Sequence, residues 1–345
     1  MIEVYPFFRA LLFRLEPERA HALILHLIRL VGNIAPLRTF FGRQFAVQSK
    51  PVLAFGLAFN NPVGLAGGYD KDGLGWRGLA CLGFGHVEVG TVTPLAQEGN
   101  PKPRLFRLAE DQALINRMGF PGRGVEFVTR QLAKPRPPGF IIGVNLGKNK
   151  NTPLEKAEND YLKLMQEFAG LADYLAINVS SPNTVGLRRL QAREELEKLL
   201  GALAQERRAY LLNQKIQKPI PLLVKLAPDL RSEELDDALK AILDTGMDGV
   251  IATNTTLQRQ GLVSSFSREM GGLSGTPLLS KSLEVVSQIS RRTQGRLPII
   301  GVGGIANASS ARAMLEAGAT LVQVYTGLIY RGPGLVKQIL SGLQE

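Results

Sequence analysis

The sequence predicts a (β/α)8 TIM barrel carrying an N-terminal two-helix extension. Two observations predict it. From residue 62 onward, eight short apolar runs recur, each bounded by Gly, Asn, Thr or Ser. Amphipathic stretches at helical spacing fill the gaps between them. Continuous apolar runs bounded by turn residues read as strands buried on both faces. Eight of them, each followed by a helix, is the count that a closed parallel barrel needs.

In chain order, residues 1–50 stand outside this rhythm. YPFFRALLFRL and PERAHALILHLIRLV read as two short helices rich in Leu, Ile and Phe. Pattern alone favours a cap packed on the barrel over a pair lying on a membrane with its apolar face outward. PVLAFGLAFNN (51–61) reads as a small β-hairpin. The eight strands then follow: PVGLA (62–66), HVEVGT (86–91), FIIGVNLG (140–147) and YLAINVS (174–180), then PLLVKLAP (221–228), GVIATNT (249–255), PIIGVGG (298–304) and LVQVYTG (321–327). PRPPG (135–139) is a stiff turn into the third. Helices are predicted over NDYLKLMQEFAGLA, over SEELDDALKAILDTG from an N-cap at Ser232 to Gly246, and over NASSARAMLEAGA into Gly318. A doubly wound sheet is the weaker alternative, since no G-x-G-x-x-G follows the first strand. The division expected is 1–45 for the helical extension and 46–345 for the barrel.

Composition narrows the partners. The net charge is +11 and favours an anionic partner. The basic residues are scattered without interleaved aromatics, so no nucleic acid is expected. A membrane surface or a phosphate-bearing ligand fits at least as well. The single cysteine, Cys81, allows no disulfide framework and reads as a core residue on the first barrel helix. Glu3, Arg9 and Arg14 interrupt the apolar N-terminus, which argues against a signal peptide. No run of roughly 18 uncharged apolar residues suggests a transmembrane helix.

Barrel chemistry sits at the C-terminal ends of strands. Those ends carry Ala66-Gly67-Gly68 with Lys71, then Gly90-Thr91, Asn145, and Asn178 through Asn183. Lys225, Thr253-Asn254-Thr255, Gly303-Gly304 and Tyr325-Thr326-Gly327 complete the set. It is rich in amides, hydroxyls and bare backbone. Asp70 is the one carboxylate seen near an end, so no metal and no paired-carboxylate hydrolysis is expected. Such a set suits a planar heterocycle and an anion. The glycines after strands seven and eight occupy the usual barrel phosphate site, where backbone N–H groups approach closely. Lys225, flanked by Val224 and Leu226, points inward without a visible acidic partner, and an anionic ligand would offset that burial cost.

As a set, AGGYDKDG, GTVTP, PRLFRL, INRMGF, NLGKNK and NVSSPNT resemble the dihydroorotate dehydrogenases, as do ATNTT, GGLSG, GVGGI and YTG. The match runs in order over nearly the whole chain. Ser180-Ser181 and the PERAH segment look like the membrane-associated, quinone-reducing class; the soluble class has cysteine where Ser181 stands. The resemblance implies oxidation of dihydroorotate to orotate, with flavin mononucleotide (FMN) taking the hydride and a membrane quinone reoxidising it. It implies Ser181 as the base for the C5 proton. Lys71, Asn116, Phe120, Asn178, Asn183, Asn254 and Thr255 would hold the substrate. The flavin would lie against Ala66, Gly67, Gly68, Lys71, Thr91 and Asn145, and against Asn178, Lys225 and Thr253. Ser274, Gly275, Gly304, Tyr325 and Thr326 would complete that wall. His21, Arg107 and Tyr325 would line the quinone's approach. The TVGLRRLQ segment after Asn183 is the natural lid. The implied location is peripheral, on the anionic cytoplasmic face of a bacterial cell membrane.

Two segments depart from the family. Tyr69 follows Ala66-Gly67-Gly68 where the family often has Ala-Ala-Gly-Leu or Ala-Ala-Gly-Phe. Pro121-Gly122 follows Phe120 where it often has Asn-Asn. Two rivals remain: a soluble FMN barrel oxidoreductase using fumarate or NAD, and a non-catalytic barrel that binds membrane or an anion.

Overall fold

The computed structural model describes residues 5–214 and 218–344. Eight parallel strands close into a barrel in sequence order. They are β3 (Val63–Leu65), β4 (His86–Val92), β7 (Ile141–Leu146), β8 (Tyr174–Asn178), β9 (Leu222–Leu226), β10 (Gly249–Ala252), β12 (Ile299–Val302) and β13 (Leu321–Val324). Each falls within a run read from the sequence except β4, which continues one residue past its run to Val92. The register Val324↔Leu65 closes the ring.

Alternation within the strands sorts the side chains. Val87, Val89, Ile142, Val144, Leu175, Ile177, Val224 and Leu226 join the core shared with the outer helices. Ile141, Tyr174, Ala176, Leu223, Ile251, Ile300 and Leu321 fill the barrel interior. The hairpin β1 (Val52–Ala54) and β2 (Leu57–Phe59) packs Ala54 and Phe59 into that interior cluster. Phe59 meets the His86 ring edge to face at 5.2 Å. The hairpin therefore plugs the end of the barrel opposite the strand C-termini.

The N-terminal ends of the strands are tied by a repeated device. Asp173 Oδ2 accepts from the Ile142 N–H and from Arg136. Asp248 Oδ2 accepts from the Leu222 N–H and from Arg207. Each carboxylate satisfies a backbone donor and an arginine at once.

Several features differ from the sequence reading. The extension has three helices, not two: α1 (Tyr5–Leu12), α2 (Pro17–Asn33) and α3 (Ala35–Phe45). Pro36 enters α3 in its first turn, where proline is tolerated. Glu3 lies outside the described residues. The extension is also not a packed cap. No residue of α1 or α3 is buried, and only Gly32 of α2 is. Phe7, Phe8, Leu11, Leu23, Leu27 and Phe40 are all exposed. The contact that does anchor α2 is tight: Gly32 sits against the short helix α4 (Trp76–Leu79), and a Cβ on Gly78 would lie 2.0 Å from the Ile28 carbonyl oxygen. Ser232 is the first residue of its helix rather than the cap; Glu234 reaches back to the Arg231 N–H. A three-stranded antiparallel sheet also went unread. It orders β11 (Gly272–Gly275), β6 (Ala113–Asn116) and β5 (Leu105–Leu108). The buried Cys81 sits just past α4 and donates to the Arg77 carbonyl.

Candidate active site

A cavity of about 630 Å³ opens at the C-terminal ends of the strands. Its inner wall is braced by a chain of amides and hydroxyls in which each group fixes the next: Thr91, Asn116, Asn178, Asn183 and Asn254 line the cavity, and Asn145 and Ser180 stand behind them. Thr91 Oγ1 donates to Asn145 Oδ1 at 2.5 Å, and Asn178 Nδ2 donates to the same oxygen at 2.9 Å. Asn145 Nδ2 donates to Glu88 Oε1 at 2.7 Å. Asn254 Nδ2 reaches Ser180 Oγ at 2.9 Å, and Asn183 Nδ2 reaches Asn116 Oδ1 at 3.1 Å. Buried polar groups with every partner supplied hold a single geometry.

The two serines of NVSSPN separate here. Ser180 Oγ is spent on Asn178 Oδ1 and Asn254 Nδ2, while Ser181 lines the cavity and accepts only from the Asn183 N–H, at 3.3 Å. Nearby, Thr255 Oγ1 is buried and has no hydrogen-bond partner among the described residues. Such an orphan is costly unless a ligand satisfies it.

The opposite wall is backbone. Gly303 and Gly304 have positive φ of 127° and 75° and line the cavity with Tyr325, Thr326 and Gly327. A Cβ on Gly304 would sit 2.7 Å from the Leu279 backbone nitrogen, at the start of the helix Leu279–Thr293. Ser274 and Thr326 hydroxyls share a bond of 2.8 Å, and Thr253 pairs with Ser282 at 3.0 Å. Ala66, Gly67, Gly68 and Gly275 also face the cavity. A Cβ on Gly67 would meet Glu88 Oε1 at 2.5 Å, so the chain presents a bare surface there.

Lys71 lines the same cavity. Burial pushes its pKa down, and the charges of Glu18 and Asp72 resist that. It forms no ion pair with Asp70, whose carboxylate accepts from the Leu74 and Gly75 N–H groups at 2.8 Å each. Burial raises Asp70 to about 6. Lys225 does have an acidic partner, contrary to the sequence reading: its Nζ lies 3.3 Å from Glu88 Oε1, deep in the barrel. Glu88 was missed because it stands mid-strand in HVEVGT, well before the end of β4 at Val92. Its alternation with Val87 and Val89 was the available sign that it points inward.

Asn145 stands behind the cavity wall rather than in it, and the other expected residues line one cavity or the other. Phe120 lines the cavity with a φ of 54°. Its loop is fixed by Gln97 Nε2, which donates to the Gly119 and Phe120 carbonyls, and by a backbone bridge from Gln97 to Gly122. The TVGLRRLQ segment expected to act as a lid is anchored. Arg188 donates to the Ser180 and Thr255 carbonyls and to Asp229, while Leu187 and Leu190 are buried. Nothing in the sequence set Arg188 apart from its neighbour Arg189.

A second, apolar cavity of about 760 Å³ lies under α1 to α3. It meets the first at His21, Tyr69 and Tyr325. His21 packs edge to face on Tyr69 at 4.8 Å. Arg107 donates to the Phe13 and Leu15 carbonyls at 2.8 Å and lies over the Phe13 ring at 4.6 Å.

A closed barrel with a hydrogen-bonded cavity at its strand C-termini, beside an apolar one, has the arrangement of a barrel enzyme. Comparison with known proteins makes the assignment specific. Residues 51–345 match the family model described as dihydroorotate dehydrogenase. Curated relatives named dihydroorotate dehydrogenase (quinone) from Aeromonas hydrophila and Yersinia pseudotuberculosis are each 49% identical over 340 residues, covering 98% of this chain and 99% of theirs. The crystal structure of an Eimeria tenella dihydroorotate dehydrogenase in complex with ferulenol is similar, with a TM-score of 0.84 and 37% identity. That match covers 99% of this chain and 94% of the other. The chain belongs to the dihydroorotate dehydrogenase family, whose members are flavin-dependent in general.

Proposed function

We infer that this chain oxidises dihydroorotate to orotate and delivers the electrons to a membrane quinone, with FMN as its resident cofactor. The observation that carries this reading is the convergence of Ser181, the Asn116–Asn183 pair and Lys71 in one cavity that abuts an apolar one. The cavity's size is that of an ordinary cofactor site. The residues fit a flavin: bare backbone at Gly67 and Gly68 for a flat ring, positive-φ glycines at Gly303 and Gly304 for a phosphate, and Lys225 below. When bound, the flavin accepts a hydride from the substrate ring and passes electrons on to the quinone.

The protein's own groups do the rest. Lys71 faces the substrate carboxylate. Asn116, Asn178, Asn183, Asn254 and Thr255 hold the ring edges, and the unpartnered Thr255 Oγ1 gains a partner there. Ser181 Oγ takes the C5 proton. A serine is a weak base, so the carbonyl beside C5 must carry developing charge, and the amide-lined wall supplies donors toward it.

Residues 1–45 act as the quinone-access and membrane-apposed segment, and 46–345 as the catalytic barrel. Among the described residues no single helix is long and apolar enough to cross a bilayer, and α2 and α3 meet at 104°. Their exposed leucines and phenylalanines suit burial at a membrane surface, and the +11 charge adds attraction to anionic lipid. This supports a peripheral place on the cytoplasmic face of a bacterial membrane. Purified protein should be yellow and release about one FMN per chain, as a single barrel phosphate site implies. It should reduce a soluble quinone analogue with dihydroorotate, and not fumarate or NAD. Colourless protein that cannot be reconstituted defeats the reading, and preference for fumarate or NAD moves it to the soluble class.

A further inference from the structure

At the cavity floor lies a charge pair: Lys225 lines the cavity, and Glu88, which the reaction as described does not use, stands beneath it. Glu88 is fully buried and Lys225 nearly so. Both oxygens of Glu88 are engaged: Oε1 by Asn145 Nδ2 at 2.7 Å and Lys225 Nζ at 3.3 Å, and Oε2 by Gln323 Nε2 at 3.1 Å and the Tyr174 hydroxyl at 3.4 Å. The same carboxylate stands directly under Gly67. It therefore touches Lys225 and underlies Gly67, both of which line the cavity, and it holds Asn145, which braces Thr91 and Asn178 from behind.

A lone buried carboxylate is expensive, and a pair is retained only where its geometry is supported. Replacing this one with apolar residues would be the simpler way to fill a barrel interior. Burial opposes ionisation of Glu88, but the Lys225 ammonium and the bonds from Gln323 and Asn145 hold its pKa below the ordinary carboxylate value. The interior thus keeps one negative and one positive charge, with the positive one nearer the cavity: Lys225 lines it and Glu88 does not.

We propose that Glu88 is a positioning residue for the flavin: it fixes the Lys225 ammonium and the Asn145 amide, and its negative charge offsets part of the Lys225 field at the ring. The inference rests on the flavin reading above. A bound anion that gains charge on reduction is stabilised by a nearby cation and opposed by that cation's counterion. Removing the counterion's charge should make the flavin easier to reduce.

The test is the reduction potential of the holoenzyme, wild type against E88Q, by dye equilibration. E88Q keeps the shape and can still accept from Asn145. A rise equivalent to a tenfold or larger change in the reduction equilibrium is expected, about 30 mV for a two-electron couple. Wild-type protein without flavin would refute the flavin reading instead. E88Q that holds flavin at an unchanged or lowered potential refutes the inference alone. If E88Q does not fold, E88Q/K225M removes both charges and is compared with K225M. Because the Glu88 charge acts at the ring whether or not Lys225 is present, the double variant should have the higher potential, again by tenfold or more; equal potentials overturn the proposal.

Discussion

The strand-end cavity and the cavity under the N-terminal helices share His21, Tyr69, Leu105, Leu114 and Tyr325 in their walls, but they are held by different forces. The first is fixed by hydrogen bonds that run from β4 across β7 and β8 to the loop after β10, through Thr91, Asn145, Asn178 and Asn254. The second is formed by three helices of which only Gly32 is fully buried, while His21, Ile28 and Phe45 are half-buried, and they are attached through Gly32 on α4, the Tyr5 hydroxyl on the Ile329 carbonyl, and Glu18 on Arg104. Directional bonds suit a site that must orient a reacting ring. Loosely held apolar surface suits a site that a hydrophobic molecule enters from another apolar phase. The difference predicts that damage to one cavity leaves the other's half of the reaction standing.

The largest effect should come from Ser181→Ala. Reduction of the flavin by dihydroorotate should slow by roughly 10²–10⁴, the usual worth of a positioned base. Orotate binding and reoxidation by quinone should barely change, because Ser181 lines only the polar cavity. Stopped-flow traces of the two half-reactions check this directly. A native rate of flavin reduction would remove Ser181 from the mechanism, and a matching loss in both halves would show that the cavities are not independent.

The converse change is Phe7→Glu with Phe40→Glu. Both side chains are exposed, and neither lines the apolar cavity. Each phenylalanine kept out of an apolar phase forfeits about 1.5–3 kcal/mol. Binding to anionic liposomes should weaken by roughly tenfold or more, while turnover of a soluble quinone analogue stays native. Undiminished liposome binding would mean that this face meets no membrane.

A third change tests the attachment itself. Gly78→Ala places a methyl group against the Ile28 carbonyl oxygen, a backbone atom that cannot step aside cheaply. Overpacking of this kind costs about 1–3 kcal/mol. Melting temperature should fall, and quinone turnover should suffer before flavin reduction does. An unchanged melting temperature would show that α2 is free to shift on α4.

Most of the barrel was legible because a strand buried on both faces has no alternation to misread; PLLVKLAP and FIIGVNLG announce themselves. The cap was misread because the sequence gives the apolar stripe of α2 but not what it faces. Leu23 and Leu27 look like core until the structure leaves them outside. Strand-end position was enough to bring Asn178 and Lys225 to the cavity, and it carried Asn145 only as far as the layer behind. Glu88 and Arg188 escaped because their roles depend on partners far along the chain: Lys225 for one, Asp229 and Thr255 for the other. The β5–β6–β11 sheet escaped for a related reason. Its third strand, GLSG, is four residues long with two glycines, and pairing with β6 rather than propensity makes it a strand.

The smallest expected effect probes the junction between the cavities. Burial, and then the nearby Lys71 charge, lower the pKa of His21 to about 3 from an ordinary value of 6.5. The folded protein therefore binds fewer protons at His21 than the unfolded chain does between those two values. Stability must fall as pH drops below 6.5, with the loss complete near 3. His86, lowered by burial to about 4, acts in the same direction. Asp70, raised by burial to about 6, acts oppositely: its contribution is fully present below the ordinary value of 3.8 and is lost as pH rises through 6. The wild-type slope is thus a sum of opposed effects, and the informative quantity is a difference. His21→Asn removes one titrating group and leaves His86 and Asp70 in place. Its melting temperature should fall less steeply than that of the wild type between pH 7 and pH 5, by a few degrees at most over that range. Parallel slopes would mean that His21 titrates as it does in water, and so that the junction between the polar and apolar cavities is wet.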